Sequence, residues 1–328
     1  MASTWIAISA NDLGDIMGGG SWSGVTYAAV TGDKIRSGST FGYDTYSKKI
    51  GIYEAHADLD PKRLNAAGLN IREARDSLEH PLSKPMVIAF DQTGSMGSIP
   101  RQMQARLKTV FNLTIDKGIE DVQVAVGAYG DATNHERVPL QISQFESDNR
   151  IDDCLDNIFI EGMGGGNDGE TSNLLFYYLA HHTALDSFEK RGQKGKLYVI
   201  ADEKQVAINA DHIKDFIGDA QPLGDITFAG IAADLTKTWD VTILLINNYS
   251  AKSQRSLEFY SELFGPDNVI VVQDADTIPE TIAALFAFDM GRPIDSITAD
   301  LATTAGKEVA TRVGATLEQR GSKAGTLR

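Results

Sequence analysis

Short apolar runs alternate with amphipathic segments along most of this chain, from about residue 85 to residue 290. Runs bounded by glycine and polar residues are typical of buried strands, whereas apolar residues at helical spacing indicate helices packed on a sheet. The runs predicted as strands are Val87–Phe90, Val122–Tyr129, Lys196–Ala201, Val241–Ile246 and Val269–Val272. Alternation of this kind predicts parallel βαβ units, and therefore an α/β fold with a doubly wound, mostly parallel sheet and helices on both faces.

The intervening segments complete the predicted sheet. Leu140–Phe145 alternates apolar and polar residues, as a strand at the edge of a sheet does. Helices are predicted over Ile99–Phe111, Ile151–Ile158, Leu174–Leu185, His212–Ile217, Ser253–Phe264 and Ile278–Phe288. The main domain is therefore expected to span residues 85–290.

The two ends of the chain carry weaker patterns. Residues 1–84 are expected to form an irregular extension that packs on the main domain, with possible strands at Val25–Val30 and Ser39–Tyr43. Asp60 followed by Pro61 can open a helix, because proline is tolerated in a first turn. Residues 291–328 are rich in Ala, Thr and Gly, which predicts a weak helix or a mobile tail.

Oxygen-bearing side chains follow the first buried strand. Asp91, Thr93 and Ser95 occupy alternate positions, so on an extended turn they point the same way and can converge. Mg²⁺ takes roughly six oxygen ligands at about 2.1 Å and usually keeps some water, so these three side chains would form a partial shell. The alternative is that they only cap the helix that follows.

Further polar clusters lie at other strand ends. Asp131 follows the second strand, Glu170 and Thr171 open a helix after a glycine-rich loop, and Asp202 follows a third strand. Ligands of open parallel sheets bind outside the carboxyl ends of the strands, so these clusters should meet. Capping does not account well for several such clusters in one chain, and we therefore expect a site for Mg²⁺, with Mn²⁺ or Ca²⁺ also acceptable.

The run Asp91-Gln-Thr93-Gly-Ser95 resembles the first loop of the metal-ion-dependent adhesion site (MIDAS) of von Willebrand factor A (VWA) domains. The resemblance covers roughly residues 85–290 and implies a Rossmann-like VWA fold. It also implies that Thr171 and Asp202 complete the metal site. With the run Asn70–Ser77, the chain looks like a bacterial and phage subgroup of intracellular VWA proteins.

One departure from that pattern concerns Glu170, which precedes the expected threonine. Glu170 could coordinate the ion itself or compete with Thr171 for the role. A glutamate ligand would fill the coordination position that normally accepts a carboxylate of the partner, and the site would then be structural.

Composition narrows the classes of partner. With 30 Lys and Arg against 45 Asp and Glu, the net charge is −15, which disfavours non-specific binding to nucleic acid or anionic membranes. The N-terminus lacks the pattern of a signal peptide, and no run approaches the ~18 apolar residues of a membrane span. The single cysteine, Cys154, fits a reducing compartment. These features predict a cytoplasmic protein.

The resemblance implies a non-catalytic, Mg²⁺-dependent protein-binding module in which an Asp or Glu of the partner completes the ion's shell. Intracellular VWA proteins are often partnered with MoxR-type AAA+ ATPases, which makes such an ATPase a candidate partner. One alternative is a metal-dependent hydrolase or phosphotransferase that uses Asp91 and Asp202, although the chain has no GxxxxGK[ST] loop for phosphate. Another is a phage or bacterial structural assembly protein.

Overall fold

The structure is a computed structural model that describes Ser23 and residues 42–96, 106, 110, 113–114, 117–162, 169–246, 251–272 and 274–325. Side chains are described for these residues except Ser95 and residues 322–325. The described strands are β1 (Arg72–Ala74), β2 (Lys84–Asp91), β3 (Val122–Tyr129), β4 (Leu140–Ile142), β5 (Thr183–Leu185), β6 (Gly195–Ala201), β7 (Trp239–Ile246) and β8 (Val269–Val272). The described α-helices are α1 (Gly42–Ile50), α2 (Arg150–Asp156), α3 (Ser172–His181), α4 (Asp186–Arg191), α5 (Ala210–Phe216), α6 (Phe228–Thr238), α7 (Ala251–Phe264), α8 (Ile278–Asp289), α9 (Ile294–Thr304) and α10 (Lys307–Gly325).

The main sheet has six strands in the order β4-β3-β2-β6-β7-β8. Every neighbouring pair is parallel except β3 and β4, where β4 lies antiparallel at the edge. All of β3 and nearly all of β2 are buried, which explains why they form continuous apolar runs in the sequence. The predicted mixed α/β fold with a mostly parallel sheet is confirmed.

Helices cover both faces of the sheet. Successive side chains of β2 point to opposite faces, so Met86 and Ile88 join one hydrophobic cluster while Val87 and Ala89 join the other. The first cluster includes α8, and the second includes α3. The sheet is therefore a buried middle layer, and only its ends and edges can present side chains to a ligand.

The N-terminal part differs from the predictions. Gly42 and Tyr43 begin helix α1 rather than ending a strand, and the Gly42 N–H donates to Asp156 Oδ1 at 3.0 Å. The possible strand Val25–Val30 lies outside the described residues. No helix follows Asp60, because its backbone carbonyl accepts from the buried guanidinium of Arg72 at 2.7 Å and holds the chain in a turn.

Helix α3 ends at His181, four residues before the predicted boundary at Leu185. The Thr183 hydroxyl donates to Leu179 O at 2.6 Å and occupies a carbonyl at the end of the helix. Arg72 N then donates to His182 O at 2.8 Å, and β5 pairs in parallel with β1. This two-stranded sheet was not predicted.

The C-terminal segment is helical, and it packs on the core. Ile297 and Leu301 of α9, and Val313 and Leu317 of α10, are buried in the cluster that contains α8. Arg320 of α10 also bonds the carboxylate of Asp289. Within the described residues, no helix combines the length and apolar character needed to cross a membrane.

Candidate metal centre

The predicted site residues lie together at the carboxyl ends of three strands of the sheet. Asp91 is the last residue of β2 and pairs with Tyr129 at the end of β3. On the other side of β2, Phe90 pairs with Ile200, and Asp202 follows directly after β6. The chain order reverses between β2 and β6, which is where doubly wound sheets bind their ligands.

Two carboxyl groups meet at that point. Asp91 is fully buried, and its Oδ1 accepts the backbone N–H of Thr93 at 2.6 Å. Burial raises the pKa of Asp91 well above its usual range, and the adjacent carboxylate of Asp202 raises it further. No donor in the described residues reaches Asp91 Oδ2 or Asp202 Oδ1, although both atoms are buried. The pair therefore requires a proton or a cation.

Glu170 and Thr171 are clamped beside this pair by backbone hydrogen bonds. Gly130 O accepts from the Thr171 N–H at 2.9 Å and from its hydroxyl at 2.8 Å, while Ala132 N donates to that hydroxyl at 3.0 Å. The Glu170 N–H donates to Lys204 O at 3.0 Å, in the loop after β6. The segment thus links the loop after β3 to the loop after β6.

The Glu170 carboxyl adds a further acidic group. Its Oε2 is buried without a partner in the described residues. Burial raises the pKa of Glu170 to about 10, and the charges of Asp91, Asp131 and Glu136 contribute to the shift. Burial and the neighbouring carboxylates therefore favour the protonated form of Glu170 in the metal-free fold.

Glu136 belongs to the same group, although it was not among the residues predicted from the sequence. Its Oε2 accepts the Asp131 N–H at 2.8 Å, and its Oε1 has no partner in the described residues. Burial raises the pKa of Glu136 to about 7. A Cβ on Gly130 would lie 1.8 Å from Glu136 Oε2, so this close approach requires glycine. Asp131 directs its Oδ1 to Thr133, accepting from the backbone N–H at 2.9 Å and the hydroxyl at 2.6 Å.

Two buried glutamines brace the loop after β2, and they too were missed. Gln141 Nε2 donates to Gln92 Oε1 at 2.7 Å and to Phe159 O at 2.8 Å, while Gln141 Oε1 accepts from Phe159 N at 2.9 Å. Gln92 Nε2 donates to Val138 O. The only signal in the sequence is the polar position of Gln141 in an otherwise apolar strand end.

The remaining predicted residues lie in the loop after β2. Thr93 is buried, and residues Gly94–Met96 form a 3-10 turn that contains Ser95. The side chain of Ser95 is outside the described part of the structure. Gly94 lies close to the backbone of residue 162, because a Cβ there would stand 3.4 Å from Gly162 O.

The residues present fit a hard cation. At this site, four buried carboxylate oxygens, of Asp91, Glu136, Glu170 and Asp202, lack a donor among the described residues, and an uncompensated buried charge is strongly unfavourable. The candidate metal ligands are all oxygen atoms, which suit Mg²⁺, Mn²⁺ or Ca²⁺ better than softer metals. The described residues contain no group of three or more His, Cys, Asp or Glu side chains arranged as a metal site. An ion here would therefore need hydroxyl groups and water besides the Asp91–Asp202 pair.

Comparison with known proteins gives structural likeness only. No protein-family model matches the chain, and no curated protein matches its sequence. Among solved structures, the pilus adhesin SpaC from Lactobacillus rhamnosus GG aligns with 63% of this chain and 30% of its own, at a TM-score of 0.43 and 13% identity. Its open conformation gives the same TM-score and identity. Proximal thread matrix protein 1 from the mussel byssus aligns with 63% of this chain and 48% of its own, at a TM-score of 0.39 and 9% identity. This chain thus matches less than half the length of either protein, and likeness at this level establishes neither shared function nor shared site residues.

Proposed function

We propose that this protein is a non-catalytic, Mg²⁺-dependent protein-binding module. The observation that carries the proposal is the contact between the buried Asp91 and Asp202 carboxyl groups at the switch point of the sheet, each with an oxygen that no described donor reaches. A divalent cation satisfies both oxygens. A carboxylate from a partner protein would complete its coordination.

The proposed ligands follow the resemblance to VWA domains and the geometry of the loops. Asp91 and Asp202 hold the ion or its waters, and Thr93 and Ser95 supply hydroxyl oxygens from the loop after β2. Thr171 donates its hydroxyl proton to Gly130 O and accepts from Ala132 N, which leaves one lone pair for a cation. Because hydroxyl ligands are neutral, the ion is not over-neutralised by its own protein ligands.

The lack of a GxxxxGK[ST] loop for phosphate in the sequence favours binding over catalysis. His182 is the buried histidine of α3's C-terminal end, and both ring nitrogens are engaged: Nδ1 with Asn70 O at 2.7 Å and Nε2 with Asp219 Oδ2 at 2.9 Å. A histidine held in this way is not available as a general base for an Asp91–Asp202 metal site.

The first candidate for the protein partner is a cytoplasmic MoxR-type AAA+ ATPase, the partner class that the resemblance implies.

Calorimetric titration of Mg²⁺ into metal-free protein tests the ion site. We expect saturable binding by the wild type and none by Asp91→Ala. Asp240→Ala should bind Mg²⁺ as the wild type does, because it removes an exposed carboxylate at the amino end of β7, away from the site. Equal heats for wild type and Asp91→Ala would refute the site. Affinity capture of the MoxR-type ATPase in Mg²⁺ and in chelator then tests the adaptor role, which would fail if capture were the same in both.

A further inference from the structure

Exposed apolar side chains are concentrated in and next to α1, the first helix of the described residues. Tyr46 and Ile50 of α1, with Ile52 and Tyr53 just after it, are 41–60% exposed. We call these four residues the α1 face. Large apolar side chains grouped on a surface mark sites of interaction, whereas single ones need no explanation.

Helix α1 and Tyr53 both contact the segment that borders the candidate metal centre. Asp44 Oδ1 accepts from Ile160 N at 3.0 Å, and Lys48 Nζ donates to Ile160 O at 2.6 Å. The Tyr53 ring packs edge-on against Phe159 at 6.0 Å between centroids. Two residues past Ile160, the chain reaches Gly162, which approaches the loop after β2. Tyr53, one residue of the α1 face, and the proposed ion therefore flank the same short segment.

Arg137 adds a cation to this surface. Its side chain is exposed, and its guanidinium lies 5.2 Å from the centroid of the Tyr53 ring. Glu161, the nearby carboxylate, accepts instead from the backbone N–H groups of Arg137 and Val138, at 2.9 and 3.1 Å. Among the described residues, no ion pair involves the Arg137 guanidinium. The Tyr53 ring thus holds the guanidinium of Arg137, which has no carboxylate partner among the described residues, at the border of the candidate metal centre.

We infer that the partner binds through an acidic, partly apolar segment that places one carboxylate on the ion, a second on Arg137 and an apolar side chain on the α1 face. This inference rests on the proposed function and names the class of partner. A guanidinium binds carboxylate in a planar, two-point manner, and a ring beneath it fixes its orientation. The chain's net charge of −15 repels an acidic segment elsewhere, so the ion and Arg137 together select this location.

A phage-displayed library of random short peptides provides the probe. The full chain is immobilised in Mg²⁺, and bound phage are eluted with chelator. We expect the eluted peptides to share two acidic residues and a large apolar residue. A labelled synthetic peptide of the selected sequence then measures affinity by fluorescence anisotropy.

The variants separate Arg137 from general charge effects. Arg137→Gln should weaken the peptide about tenfold, as expected for loss of a well-oriented pair at a binding surface. Lys194→Gln should leave the affinity unchanged, since this exposed lysine directly precedes β6 and lies at the amino ends of the strands, away from the site. Tyr53→Ser should weaken binding as well, because it removes both the ring under Arg137 and part of the α1 face.

The outcomes distinguish this inference from the function on which it rests. Mg²⁺-dependent peptides that carry one acidic residue and bind wild type and Arg137→Gln equally would overturn the inference alone. Absence of any Mg²⁺-dependent selection would overturn both. A dimer of the chain itself that Arg137→Gln dissociates would assign the surface to a second copy, and would also overturn the acidic-segment proposal.

Discussion

Replacing Asp91 by Asn tests the central contact of the site. Asn has the shape of Asp, and its Oδ1 keeps the hydrogen bond from Thr93 N, which measures 2.6 Å. The amide nitrogen takes the place of Oδ2 and can donate to Asp202 Oδ1, a buried atom that no described donor reaches in the wild type. Substitution of a fully buried residue usually destabilises a protein, whereas here we expect the metal-free fold to become more stable.

The size of the gain follows from the new hydrogen bond. A hydrogen bond to a charged group contributes about 1.5–3 kcal/mol, so the free energy of unfolding should rise by that amount where wild-type Asp91 is ionised. Mg²⁺ stabilises only the wild type and so offsets most or all of this advantage. At about 100 times its dissociation constant, the ion stabilises the wild type by about 2.7 kcal/mol and leaves Asp91→Asn unchanged.

The sign of the pH dependence is fixed by the raised pKa of Asp91. A group whose pKa is higher in the folded state stabilises the fold at acid pH, and that contribution disappears as the pH rises through the folded-state value. Glu170, with its pKa raised from 4.5 to about 10, acts in the same direction between those two values. Metal-free wild type should therefore lose stability as the pH rises. Asp91→Asn removes the Asp91 share, so its advantage should be near zero in acid and grow towards alkaline pH.

Chemical unfolding in chelator and in Mg²⁺, across that range of pH, measures each quantity. Asp240→Asn serves as the control, because it neutralises an exposed aspartate that pairs with Lys196 at the other end of the sheet. A metal-free Asp91→Asn protein that is less stable than wild type at alkaline pH would refute the argument. Asp91 would then serve mainly to cap its loop.

Four other outcomes are expected. Gly130→Ala should destabilise the fold by about 2 kcal/mol and weaken Mg²⁺ binding, because the added Cβ displaces Glu136; unfolding and calorimetry measure both. Gln141→Ala should cost about 1–3 kcal/mol in unfolding experiments and also weaken Mg²⁺ binding, since the loop after β2 loses its brace. Arg72→Ala should destabilise the fold by a similar amount of about 1–3 kcal/mol, because backbone carbonyls lose their donor. Those carbonyls do not belong to the metal site, so the Mg²⁺ affinity measured by calorimetry should be unchanged. Mg²⁺ should displace the proton that Asp91 holds, so affinity should fall about tenfold per pH unit below the pKa of Asp91, and heats should vary with the buffer's ionisation enthalpy.

The sequence was sufficient to predict the sheet because its strands are buried on both faces. β2, β3 and β6 appear as continuous apolar runs, and the polar residue that ends each run marks the strand's carboxyl end. Parallel strands place those ends on the same side of the sheet, so the pattern predicted that Asp91 and Asp202 lie on that side, although it did not specify that β2 and β6 are neighbours. Their contact depends only on neighbouring strands in the fold.

Features that depend on distant contacts could not be predicted in this way. Strands β1 and β5 have three residues each, too few for periodicity, and they pair across more than a hundred positions of the chain. Glu136 lies in a loop, and its role arises from a glycine that lets its carboxylate approach the Asp131 N–H. The bond between Gln141 and Gln92 likewise joins strand β4 to the loop after β2.

The charge on Glu170 determines whether an ion here can accept a partner. When Asp91 and Asp202 are ionised, their two negative charges balance the charge of a divalent cation. The remaining hydroxyl ligands are neutral, so the ion can still take a further carboxylate. A third ionised ligand would give the site a negative charge and repel that carboxylate. Burial and the neighbouring carboxylates raise the pKa of Glu170, which favours its protonated form in the metal-free fold. A Glu170 that stays protonated when the ion binds is compatible with a binding site, whereas release of a second proton would indicate that Glu170 has become a ligand and closed it.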